Sequence, residues 1–172
     1  MANPLSLLGE IHTAISIVPA VAGLYSFAKY RAIRPETTVG KVYLSTLALS
    51  AISAFGLSST GGFNPGHALA IIVLLVSAIC LVLPKLGFLG RLIPYLRNLG
   101  FSFTYFLLWV PGINETLSRL PPSHPIGNGP DSPPVQTALL IWVVLFAAGS
   151  LAQAFLVSRG QARRVVAWVP HV

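Results

Sequence analysis

Long apolar stretches, separated by short polar connections, divide the chain into five parts. They cover about residues 11–29, 41–57, 67–83, 92–110 and 135–158. Each is close to the roughly 20 residues that an α-helix needs to cross the hydrocarbon core of a bilayer. The pattern predicts an all-α fold, an integral membrane bundle of about five transmembrane helices that forms a single domain over residues 1–172. The longest polar connection, residues 111–134, is predicted to be an outer loop.

The fourth stretch is the least regular of the five. Its continuously apolar part covers residues 101–110, so a full crossing has to begin near residue 92 and include Pro94, Arg97 and Asn98. A re-entrant or broken helix is the alternative. Polar and aromatic side chains share one helix face here, and again in the fifth stretch. These faces are Asn98, Ser102, Tyr105 and Trp109 in the fourth stretch, and Trp142, Phe146, Gly149 and Gln153 in the fifth.

Composition and charge agree with a membrane location and add an orientation. The chain is 54% hydrophobic and 9% charged, whereas soluble domains carry about 25% charged residues. Ten of its eleven basic residues fall in alternate connections, and the other connections hold only Arg119. Cytoplasmic loops are enriched in Lys and Arg, so the pattern predicts an outer N-terminus and an inner C-terminus, in the inner membrane of a bacterium. The ten residues are Lys29, Arg31, Arg34, Lys41, Lys85, Arg91, Arg97, Arg159, Arg163 and Arg164.

The net charge of +7 does not indicate nucleic-acid binding. The cations are distributed by topology and do not form one basic face or tail. Attraction to anionic lipid head groups is the simpler consequence of this distribution. The partners predicted on this basis are therefore the lipid bilayer and another membrane protein or a second copy, with no nucleic acid.

Two histidines are the residues most suited to chemistry. His12 lies one turn inside the first stretch, and His67 opens the third, so both belong to the outer half of the predicted bundle. Two imidazoles on different helices at similar depth meet the needs of a haem with two axial histidines, or of a metal centre. We predict His12 and His67 as ligands of haem b or a metal ion, with Tyr105 and Trp109 packed against the cofactor. The alternative is that each histidine is a hydrogen-bonded or solvated residue at the membrane surface.

Three short segments resemble a known family. His12, Thr38–Tyr43 (TVGKVY) and Phe63–His67 (FNPGH) are similar to the corresponding segments of small bacterial polytopic membrane proteins of unknown function. The resemblance covers about residues 8–85. It implies histidines near helix ends and a haem-binding role, carried here by His12 and His67. Thr37 and Thr38 stand where that family has a His-Arg pair.

Two function classes follow from these observations. One is a redox subunit that binds haem b through the histidine pair or is linked to a quinone. The other is a non-catalytic accessory or scaffold subunit of a larger membrane complex. Small side chains on the second and fifth helices would dock to partner helices in that case, and they are Ser50, Ser53, Ala54 and Gly149. A transporter is disfavoured because the chain has no inverted repeat and no carboxylate inside a predicted span.

Overall fold

The computed structural model describes residues 6–58 and 62–166, with side chains described as far as residue 161. Within these residues the protein is all-α and contains no strand, which confirms the all-α part of the predicted fold. Two short 3-10 helices, Leu83–Lys85 and Gly87–Leu92, connect the third α-helix to the fourth. The α-helices are α1 (Leu7–Tyr30), α2 (Thr38–Ala54), α3 (Pro65–Val82), α4 (Ile93–Arg119) and α5 (Pro133–Val166).

Three of these helical segments are long and apolar enough to cross a membrane. They are Leu7–Tyr30, Pro65–Lys85 and Pro133–Gln161. α2 has 17 residues, and at 1.5 Å per residue it is about 25 Å long, slightly less than the roughly 30 Å hydrocarbon core. α4 has 27 residues but carries charged side chains near both ends. These three long apolar helices indicate that the protein is a membrane protein.

Side chains next to the helix ends explain where three of the helices begin. The hydroxyl of Ser6 accepts the backbone N–H of Gly9, and the hydroxyl of Thr37 accepts that of Gly40. Asn64 does the same for the third helix, where Pro65 follows at the first helical position. Such N-caps satisfy backbone donors that have no partner inside the helix.

The fourth helix continues further than its apolar stretch. It runs without a break from Ile93 to Arg119 and contains Pro111, so the connection to α5 begins near residue 120 and not at 111. A proline inside a helix lacks one backbone donor and crowds the preceding turn, but membrane helices tolerate it because neighbouring groups satisfy the freed backbone groups. Beyond Pro111, Glu115 and Arg119 form an ion pair one turn apart, which supports the last turns of the helix.

Helices α1 to α4 form a closed bundle, and α5 packs on its outside. α1 contacts α2 most extensively, α2 contacts α3, α3 contacts α4, and α4 returns to α1, whereas α5 packs mainly on α4. The core holds fully buried side chains of Tyr43 and Phe101. Two helix pairs approach closely at glycines, because the space beside Gly23 is taken by the ring of Tyr105 and that beside Gly100 by the sulfur of Cys80.

Apart from Arg119, the described basic side chains gather at one end of the bundle, which we call the cationic end. Here α1, α3 and α5 finish and α2 and α4 begin. An ion pair between Glu36 and Arg97 joins the α1–α2 connection to α4. Hydrogen bonds from Gln153 to the carbonyl of Arg31, and from Gln161 to that of Arg91, join α5 to the same end. The side chains of Arg163 and Arg164, the remaining members of the charge pattern, lie outside the described residues.

Candidate functional site

His12 is held in the interface between α1 and α2 by serine side chains. Its Nδ1 lies 2.9 Å from Ser53 Oγ, whose own proton is donated to the carbonyl of Ser50 at 2.8 Å. A hydroxyl has one proton to donate, so the hydrogen of the His12 bond has to come from Nδ1. Ser16 Oγ donates to the His12 carbonyl at 2.7 Å and is 3.5 Å from Nε2. His12 therefore joins two helices through a small polar network.

His67 is part of the cap that begins α3. Its backbone N–H donates to Asn64 Oδ1 at 3.1 Å, and its Nδ1 accepts the backbone N–H of Asn64 at 3.4 Å. The ring stacks on Phe55 with a centroid distance of 5.4 Å and meets the ring of Phe63 edge-on at 5.6 Å. The side chain is buried. These contacts assign His67 a structural position between two aromatic rings.

The two histidines make contacts close together at the end of α2. Ser53 in the last turn holds His12, and Phe55, the residue that follows the helix, stacks on His67. The backbone of Phe55 is still helical, so the two side chains leave it in directions about 200° apart. Among residues 6–58 and 62–161 there is no cluster of three or more His, Cys, Asp or Glu side chains that would hold a metal ion. The two rings are thus engaged by different side chains, and the haem-b centre stays a prediction.

Tyr105 and Trp109 pack against each other, at a distance from His12. The hydroxyl of Tyr105 donates to the carbonyl of Ala20 at 3.1 Å. Ala20 is eight residues from His12, about 12 Å along the helix axis. The centroid of the Tyr105 ring is 6.4 Å from that of Trp109, and the centroid of Trp109 is 6.1 Å from that of Trp142. The predicted aromatic pair therefore lies where α4 meets α1 and α5.

The small-residue face predicted for α2 is used inside the chain. Ser50 is buried, and its hydroxyl lies 2.6 Å from that of Ser16 on α1. Ser53 bonds to His12, as described above. Gly149 differs, because a side chain placed there would meet no atom within 4 Å. Of the predicted docking residues, Ser50 and Ser53 hold α1, and Gly149 on α5 faces open space.

An aromatic cleft opens between α1, α4 and α5. Its volume is about 330 Å³, at the lower end of the range of roughly 300–1,000 Å³ that is typical of small-molecule sites. Leu145 and Leu156 line it and are 56% and 50% exposed, so the cleft reaches the outer surface of the helices. Five aromatic side chains form its walls, and they are Phe27, Tyr105, Phe106, Trp142 and Phe146.

Polar groups gather toward the cationic end of this cleft. Ser102 Oγ donates to Gln153 Oε1 at 2.7 Å, and Gln153 Nε2 donates to the carbonyl of Arg31 at 2.9 Å. The amide of Gln153 has a second N–H beyond this bond. Ser150 Oγ also lines the cleft and is buried with no hydrogen-bond partner among the described side chains. Arg31 stands at the mouth. The cleft therefore has an aromatic body and one hydrogen-bonding end.

The sequence contained a signal for this cleft, although it did not indicate the cleft itself. The face of α4 that holds Ser102 and Tyr105 meets the face of α5 that holds Trp142, Phe146 and Gln153. Both faces are visible as helical spacing of polar and aromatic residues. The contribution of α1, through Phe27 and Arg31, has no such signal, because it depends on which helices become neighbours.

Comparison with known proteins finds no relative of this chain. No family model, curated protein or solved structure matches it.

Proposed function

We propose that the protein binds an isoprenoid quinone in the aromatic cleft and serves as a quinone-linked subunit of a membrane redox system. The observation that carries this proposal is the composition of the cleft, in which five aromatic walls meet a hydrogen-bonding end. A quinone head is a flat ring with carbonyl oxygens. Aromatic walls suit the ring, since aromatic pairs gain attraction beyond the area they bury.

The polar end supplies donors for the carbonyl oxygens. The guanidinium of Arg31, the hydroxyl of Ser150 and the second amide proton of Gln153 are the candidate donors. A buried hydroxyl with no partner is costly, and a ligand oxygen would satisfy it. The isoprenoid tail would leave between Leu145 and Leu156, where the cleft reaches the surface that faces lipid in a membrane protein.

We further propose that all five helices cross the membrane, in a bacterial inner membrane, with the cationic end in the cytoplasm. The support is the excess of Lys and Arg at that end, which is typical of cytoplasmic loops. Labelling with a membrane-impermeant maleimide tests the orientation. A cysteine at Ser123, in the connection before α5, should react in intact cells, and one at Lys85 should react only after permeabilisation. The reverse pattern would refute the orientation.

Quinone binding can be measured through tryptophan fluorescence. Quinones quench nearby tryptophans, and Trp142 lines the cleft with Trp109 beside it. The full chain in lipid nanodiscs is titrated with a short-chain ubiquinone analogue. Gly149→Leu places a side chain in the cleft, and Gly160→Leu is the matched control on the same helix, since neither glycine has an atom within 4 Å of the added carbon.

Saturable quenching in the wild type and in Gly160→Leu, with at least about tenfold weaker binding in Gly149→Leu, is the expected result. A tenfold change corresponds to about 1.4 kcal/mol of binding free energy. Quenching that rises linearly with quinone and is equal in all three proteins would show partition into lipid and would refute the proposal.

A further inference from the structure

A second group of polar side chains lies on α1, on the face away from the cleft. Phe27 of α1 and Arg31, the residue that follows the helix, line the cleft. Tyr25 precedes Phe27 by two positions and Lys29 follows it by two, so both lie on the opposite side of the helix, and neither lines the cleft. Lys29 is in the last turn of α1, at the cationic end of the bundle. This surface is therefore separate from the proposed quinone site.

Two cations here share one aromatic ring. Lys29 Nζ is 5.4 Å from the centroid of the Tyr30 ring and donates to the hydroxyl of Tyr25 at 3.2 Å. The guanidinium carbon of Arg34 is 5.8 Å from the same Tyr30 centroid. Both contacts are within the roughly 6 Å range of cation–π attraction. Both positive charges therefore lie within about 6 Å of one ring.

No carboxylate among the described residues pairs with either cation. The carboxylate of Glu36, the nearest in sequence, hydrogen bonds to Arg97. The charge of Arg34 acts on Glu36 without forming an ion pair with it. The other three carboxylates of the chain precede residue 11 or follow residue 114, at the opposite end of the bundle. Two cations that contact one ring and have no ion-pair partner among the described residues favour the binding of an anion.

The neighbouring surface indicates what kind of anion would bind. Val21 and Leu24 on α1 are each 62% exposed, and Tyr25 is 48% exposed. An apolar surface that leads up to a pair of cations matches a molecule with an anionic head and apolar chains. We propose that Lys29, Tyr30 and Arg34 bind the phosphate of an anionic phospholipid, whose acyl chains lie along α1.

Native mass spectrometry of the full chain in detergent tests this site. Phosphatidylglycerol is titrated in the presence of phosphatidylcholine as the neutral competitor. The double variant Lys29→Gln/Arg34→Gln removes both cations. Lys85→Gln/Arg91→Gln is the matched control, because it removes the same charge at the same end but on the connection between α3 and α4. Thermal unfolding midpoints establish that each variant is folded.

The first double variant is expected to bind phosphatidylglycerol about 30-fold more weakly, since each basic residue near an anionic lipid contributes roughly a factor of five. The control should change binding by less than about twofold. Tyr30→Leu, which keeps both charges, should weaken binding severalfold, and Tyr30→Phe should not. Equal losses in the two double variants would show diffuse attraction to net charge and overturn the proposal. Displacement of the lipid by millimolar inorganic phosphate would overturn the lipid as the occupant.

Discussion

The contact between Gly23 and Tyr105 gives a sharp test of the helix packing. A methyl group added at Gly23 would lie 2.4 Å and 2.5 Å from two ring carbons of Tyr105, and 3.2 Å from a ring carbon of Tyr43. The Tyr105 ring cannot easily move, because its hydroxyl bonds to Ala20 and its edge packs on Phe27 at 5.2 Å. Gly23→Ala therefore forces the helices apart or drives the ring toward the cleft.

The size of the effect follows from three contributions. Overpacking a well-filled interior costs about 1–3 kcal/mol. Loss of the Tyr105 hydrogen bond to Ala20 would cost about 1 kcal/mol more. Replacing a helical glycine by alanine returns about 1 kcal/mol. We expect Gly23→Ala to lower the free energy of unfolding by about 1–3 kcal/mol. Because Tyr105 lines the cleft, it should also weaken quinone binding.

A double-mutant cycle isolates the contact. Tyr105→Val truncates the side chain before the ring, so in this background Gly23→Ala should be neutral or stabilise by up to about 1 kcal/mol. The coupling free energy should be about 2 kcal/mol, measured by SDS-driven unfolding in mixed micelles and followed by circular dichroism. Gly160→Ala, where no atom lies within 4 Å of the new carbon, is the control and should not destabilise. If Gly23→Ala costs the same with and without the Tyr105 ring, α1 and α4 do not meet as described.

Three further predictions concern polar contacts. Ser53→Ala removes the partner of the His12 Nδ1–H and should lower the free energy of unfolding in micelles by about 1–2 kcal/mol. Burial would by itself raise the pKa of Glu36, but hydrogen bonds from its own backbone and Arg97, with nearby positive charge, hold that pKa below its usual value. The stabilisation by Glu36 is therefore present above its unfolded pKa of about 4.5 and lost as pH falls through the lower folded pKa. Unfolding between pH 7 and pH 3 should thus show a loss of less than about 1 kcal/mol that is absent in Glu36→Gln, since the pair is exposed. Asn64→Ala should cost about 1 kcal/mol by removing the cap of α3, and Asn64→Ser should restore most of it.

Each of these predictions has an outcome that contradicts it. An unchanged stability of Ser53→Ala, compared with Ser45→Ala on the same helix, would place His12 elsewhere. If the free energy of unfolding falls equally with pH in wild type and Glu36→Gln, the ion pair does not contribute to stability. Equal stabilities of the two Asn64 variants would show that the cap contributes nothing to α3.

The positions of the helices could largely be predicted from local sequence, and so could the distribution of charge. A backbone in lipid has to satisfy its hydrogen bonds within each segment, so a long apolar stretch predicts a helix with little regard to its neighbours. The ends of the helices were less predictable from the sequence. α4 continues through Pro111 to Arg119, since one missing donor does not end a helix that later turns support.

The candidate sites depended on tertiary structure. The sequence pattern places His12 and His67 at similar depth, but the structure engages them with two different side chains at the end of α2, those of Ser53 and Phe55. A one-dimensional pattern can indicate the local contacts of His67 with Asn64 and of His12 with Ser16, but it cannot pair His12 with Ser53 or His67 with Phe55.

The sequence by itself therefore determined the class of this protein: an all-α membrane protein with its cations in alternate connections. The tertiary structure alone decided which helix faces meet. It brought Phe27 and Arg31 of α1 to the faces of α4 and α5 and so formed the cleft. The physical reason is that helix formation in a membrane is a local property of composition. Packing between helices depends on the shapes and hydrogen-bonding groups of side chains far apart in the chain.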